Sequence, residues 1–124
     1  MVARRSGLLL LGLSLAALAA STADARRHPP TTSVGVSARE FRLAAYRTSA
    51  PDGIVRFNLA NYGEDGHDLV VQTAGGRDLA RTGEVKSGRR ATLALRLRPG
   101  SYRLVCDLAD HEARGMRTSF RVTR

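Results

Sequence analysis

This 124-residue chain has no tryptophan, three histidines, two methionines and one cysteine. A lone Cys106 excludes an internal disulfide framework. The arrangements that carry common enzyme chemistry are also missing: no Ser/His/Asp pattern, no paired carboxylates in a cleft-like context, no Gly-rich phosphate loop. The chain is therefore not expected to be an enzyme. Its longest apolar run, Leu8 to Ala20, falls short of the roughly 20 residues a membrane-spanning helix needs. Arg4 and Arg5 precede that run, and Ala23-Asp24-Ala25 follows it with small residues at a cleavage position. Residues 1–25 therefore read as a secretory signal peptide, and the mature chain as a bacterial periplasmic, extracellular or cell-envelope protein without a membrane span. The paired arginines leave twin-arginine export open, although Ser6-Gly7-Leu8 fits that motif poorly.

Lysine is nearly absent too. Nineteen of the 20 basic residues are arginine, and they outnumber 11 acidic ones. Such a balance raises nucleic acid as a partner. Export argues against it, and the arginines are spread along alternating segments instead of forming a run. A solvated basic surface, able to meet an acidic docking surface on a partner, is the reading adopted.

Residues 26–33 (RRHPPTTS) are polar and contain prolines, as a linker would, and carry His28 as a bystander. From Val34 to Arg124 the period is that of strands. Val55, Phe57 and Leu59 alternate with Arg56 and Asn58; Leu93, Leu95 and Leu97 alternate with Ala94, Arg96 and Arg98; Phe120 and Val122 alternate with Arg121 and Thr123. Pro51-Asp52-Gly53, Asn61-Tyr62-Gly63, Gly75-Gly76, Ser87-Gly88 and Pro99-Gly100 punctuate them as turns. Helical spacing is suggested only around Arg77 to Arg81. One all-β domain follows, an antiparallel β-sandwich or small barrel.

A free thiol in an oxidising compartment needs an explanation: an intermolecular disulfide, an inert buried thiol, or a thiolate on a metal. The neighbouring residues choose the third. Four residues separate Cys106 from His111, and four more separate His111 from Met116, so thiolate, imidazole and thioether share one loop. His67, just after the Gly63 to Gly66 turn, is the only other histidine outside the linker. Taken singly, a cysteine or methionine of this kind is a core filler. Taken together, the four are the donor set of a mononuclear blue-copper (type 1) site: two imidazoles, one thiolate and a weak axial thioether. Zinc suits the Cys and His donors as well, but the thioether favours copper.

The segment Tyr102 to Val122 resembles the C-terminal ligand loop of cupredoxins, the family of plastocyanin, azurin and amicyanin, and Asn61 to Val71 resembles their first-histidine strand. Glu40-Phe41 and Ile54 to Leu59 resemble the opening strands. The resemblance implies a Greek-key sandwich with copper near one end and electron transfer through the edge of His111. Four residues, at three places, depart from the family pattern. Asp68 stands where an Asn usually ties the ligand loops together, Asp107 where Ser or Thr is common, and Ala109-Asp110 where Pro-Gly is common.

The function expected is a monomeric carrier of single electrons between redox proteins. A copper carrier, buffer or assembly protein would use the same ligands, although the Met-rich and His-rich tracts that aid metal transfer are absent. An exported adhesion module with an incidental cysteine is the third alternative, and the colour of the copper-loaded protein separates it from the others.

Overall fold

A computed structural model describes residues 28–124. The expected signal peptide and the first two residues of the linker lie outside them. Nine strands form: β1 (Thr31–Arg39), β2 (Arg42–Ala45), β3 (Ser49–Pro51), β4 (Gly53–Asn61), β5 (Val70–Thr73), β6 (Asp78–Arg81), β7 (Arg90–Leu97), β8 (Gly100–Val105) and β9 (Arg117–Thr123). They make two sheets, ordered β2-β1-β4-β7 and β3-β9-β8-β5-β6. No helix occurs among the described residues, and residues 78–81, where the sequence carried its one helical spacing, form edge strand β6. Five residues are too few to separate a helical period from alternation.

The alternating patterns build the core. Val55, Phe57 and Leu59 on β4 and Phe120 and Val122 on β9 are all buried, while Arg56, Asn58 and Arg121 between them are exposed. Phe57 and Phe120 meet edge to face across the two sheets at 5.2 Å, a geometry worth about 0.5–1.5 kcal/mol beyond the area it buries. The sandwich is the one the alternation predicts, with a difference in strand direction. Of the pairings, β1 with β4 and β3 with β9 are parallel, so both sheets are mixed. Strand β1 also opens at Thr31, so the segment read as linker contributes its last three residues to the sheet.

These directions gather four connections at one end of the sandwich: β1–β2 (residues 40–41), β4–β5 (62–69), β6–β7 (82–89) and β8–β9 (106–116). All four sequence-predicted ligands lie on two of them.

Candidate metal centre

Cys106 directly follows β8 and points into the core, at 0% exposure. The chain then closes a series of tight turns, with His111 N–H donating to Leu108 O, Arg114 N–H to Asp110 O and Gly115 N–H to Glu112 O. Gly115 has φ 120°, and a Cβ there would stand 3.2 Å from Phe41 O, so the loop needs glycine at this point. Two backbone bonds then tie the loop ends: Met116 N–H to His111 O at 3.1 Å and Cys106 N–H to Met116 O at 3.0 Å. The side chain of Met116 is fully buried in the same cluster as Cys106.

His67 comes from the β4–β5 connection, three residues before β5. It is anchored by a pair of backbone bonds with Val85, at 3.1 and 2.7 Å. Asn61 shapes this connection from within. Its buried amide donates to Val85 O at 2.9 Å and Asp65 O at 2.7 Å and accepts Gly63 N–H at 2.8 Å. The sequence marked Asn61 only as a turn former; its hydrogen-bonding role emerges when residues 82–89 fold over it.

The structure brings three of the four predicted residues into one group. One donor atom each from His67, Cys106 and His111 lies within 4.8 Å of the others, and all three residues are buried. Nδ1 of His67 is 3.2 Å from Nδ1 of His111, which is 3.6 Å from Cys106 Sγ. Met116 adjoins them through its backbone bonds. His28 is exposed and takes no part in the group.

Polar contacts surround the donors. The backbone N–H of Asp68 points at Cys106 Sγ at 3.4 Å, and the Asp68 carboxylate accepts Asp107 N–H at 2.9 Å. Asp68 is 1% exposed, and burial together with the neighbouring Asp107 carboxyl pushes its pKa up to about 6. Asp107 is held low through its hydrogen bond with Asp68 and by the Arg81 guanidinium, 2.8 Å away. Burial likewise raises the Cys106 thiol to about 11, so the metal-free sulfur keeps its proton. On the far side of His67, Nε2 lies 2.8 Å from Glu40 Oε1. Glu40 also accepts the Asp65 backbone N–H at 2.9 Å. Backbone N–H donors, Asp65 first, hold its carboxyl down to about 2. The ring of Phe41 packs 5.0 Å from that of His111 and is covered by the Arg114 guanidinium at 3.5 Å. Sequence reasoning assigned no site role to Glu40 or Phe41.

No family model matches the chain, and no curated protein matches its sequence. Solved structures do. Auracyanin B is 20% identical, with 76% of this chain and 88% of that one covered at a TM-score of 0.61. Rusticyanin from Thiobacillus ferrooxidans is 17% identical over 75% of this chain and 77% of its own, at a TM-score of 0.65. Auracyanin A, a "blue" copper protein of the thermophilic photosynthetic bacterium Chloroflexus aurantiacus, is 10% identical and covered over its whole length, with 76% of this chain aligned and a TM-score of 0.64. At these identities the likeness is one of architecture: this chain has the cupredoxin fold, with a buried His-Cys-His group among the loops at one end.

Proposed function

We propose that this chain is an exported blue-copper protein that carries single electrons between redox partners, holding one type 1 copper ion through His67, Cys106, His111 and Met116. The observation that carries this reading is the convergence of two imidazoles and a thiol, all buried, at the loop end of a cupredoxin sandwich. The donors fit the ion. Separations of 3.2 and 3.6 Å are ones that a single ion spans with bonds of about 2.0–2.3 Å to nitrogen and sulfur. A soft thiolate and a thioether suit copper better than zinc. Bound there, copper supplies a one-electron couple. The chain excludes water from the donors, fixes them through backbone ties between loops, and brings one of them to the rim. That one is His111, at 8% exposure against 0% for His67 and Cys106, and its edge is the route by which an electron leaves.

The charge around this rim bears on the partner. Eight of the chain's 11 acidic residues lie on the four connections at the site end, against three of its 20 basic ones. The whole-chain balance pointed to a partner with an acidic docking surface. Arginines at the adjoining strand ends balance these carboxylates, Arg81 against Asp68 and Asp107 and Arg103 against Glu112, so charge at this end singles out neither an acidic nor a basic partner. Export follows the reading of residues 1–25, with residues 26–33 leading into the domain and the mature N-terminus within a few positions of Arg26; the mature chain acts as a monomer without a membrane span. N-terminal sequencing of the exported protein checks the cleavage.

Visible absorption after addition of Cu(II) tests the proposal. Intense blue or green colour is expected, and Cys106→Ser should abolish it together with strong copper binding. An unchanged spectrum in that variant defeats the reading. Reversible one-electron voltammetry without metal loss separates an electron carrier from a copper carrier.

A further inference from the structure

Glu40 lies in the two-residue turn between β1 and β2, 27 positions before His67, yet its carboxylate is the partner of the outward-facing nitrogen of that ring. A neutral imidazole has one N–H, on one of two nitrogens. The Glu40 carboxylate accepts and cannot donate, so the 2.8 Å contact places the hydrogen on Nε2. The lone pair is then on Nδ1, which faces the group at 3.2 Å from His111 Nδ1. His67 is wholly buried, so with Glu40 in place no water competes for this nitrogen. The carboxylate is itself held in place. Asp65 N–H donates to the same oxygen at 2.9 Å, and Gly63 lies so close that an added Cβ would collide with the carboxyl group. Two segments distant in sequence, the β1–β2 turn and the β4–β5 connection, thus converge to aim one acceptor at one ring nitrogen.

We propose that Glu40 is a positioning residue which locks His67 in its Nε2–H tautomer, so that the lone pair of Nδ1 is presented to the metal before any metal arrives. The copper-related part rests on the function proposed above; the tautomer does not. Partners that fix a ligating histidine in this way change metal affinity by about 10- to 100-fold when removed. The carboxylate also brings a negative charge to the back of the ligand, which favours the more highly charged state of a bound ion.

Long-range 1H–15N correlation spectra of histidine-labelled, metal-free protein, recorded above the usual histidine pKa range, report the tautomer directly. The wild type should show His67 as Nε2–H. Glu40→Ala should give a mixture of tautomers and a Cu(II) affinity about 10- to 100-fold lower. Glu40→Gln keeps an acceptor oxygen without the charge, so it should recover the Nε2–H tautomer and most of the affinity while raising the reduction potential. An Nδ1–H tautomer in the wild type overturns the proposal even if neither variant folds. So does a Glu40→Ala protein with unchanged tautomer and affinity. Failure of the wild type to bind copper, with the Nε2–H tautomer present, counts against the electron-carrier reading and leaves the role of Glu40 intact.

Discussion

The carboxylate of Asp68 accepts the backbone N–H of Asp107 at 2.9 Å, joining the residue that follows His67 to the one that follows Cys106. A single oxygen thus bridges the two connections that carry the proposed ligands, the task an Asn performs in the family pattern. An amide oxygen can accept the same bond, so Asp68→Asn should keep the bridge and remove only the charge. The reduction potential should then rise. A unit charge at about 8 Å in an effective dielectric of about 20 is worth roughly 2 kcal/mol, or somewhat under 100 mV for one electron, as an upper guide. Arg81, 3.7 Å from Asp68, offsets part of it. Voltammetry of both proteins at the same salt and above pH 7 measures the shift; a potential that stays put or falls refutes it.

The same residue gives metal-free protein a distinctive pH response. Asp68 is raised from 3.8 to about 6 in the folded chain, so between those values the folded state holds a proton that the unfolded state has released. Its stabilising contribution is complete below about pH 4 and is lost as pH rises through 6. Urea denaturation across this window should show wild type gaining stability relative to Asp68→Asn as pH falls. A difference between the two that is independent of pH refutes the shift.

Met116→Leu tests the thioether. The two side chains have similar volume, so the core should tolerate the change at a cost under about 1.5 kcal/mol. The colour arises from the thiolate and should survive. The potential should rise, because removal of a weak axial donor stabilises Cu(II) less than before. An unchanged potential would mean that Met116 is core and not ligand.

Asn61→Ala removes two donated bonds and one accepted bond from a residue that is 1% exposed. Leaving buried backbone groups unpaired costs about 1–3 kcal/mol. Thermal denaturation should register this loss. Copper affinity should fall with it, because Val85 anchors both Asn61 and His67.

Sequence periodicity was sufficient where a strand has one wet face. Phe57 and Leu59 announce their burial through the Asn58 between them. The meeting of Cys106 with His111 was equally open to reading, because the two sit within one short run of chain. Strand direction was not. Alternation is identical in parallel and antiparallel pairs, so nothing in Val34 or Val36 tells that β1 runs alongside β4. Glu40 was hidden for a related reason: its contact with His67 spans 27 positions and is created only when the β1–β2 turn and the β4–β5 connection arrive at the same end.

The carboxylates crowded at that end face arginines of the adjoining strands, Arg81 against Asp68 and Asp107 and Arg103 against Glu112, so the site end is a mixed patch on a cationic protein. Seen from far away at about 0.01 M salt, where fields reach roughly 30 Å, the chain with its formal charge of +9 behaves as a cation. At physiological salt the reach shrinks to about 8 Å, and a molecule approaching His111 meets carboxylates and guanidiniums together before it feels the rest of the cationic body. Added salt should therefore do more than weaken encounters at this end. It should make approach depend on the match of individual charges around His111 more than on the protein's net charge.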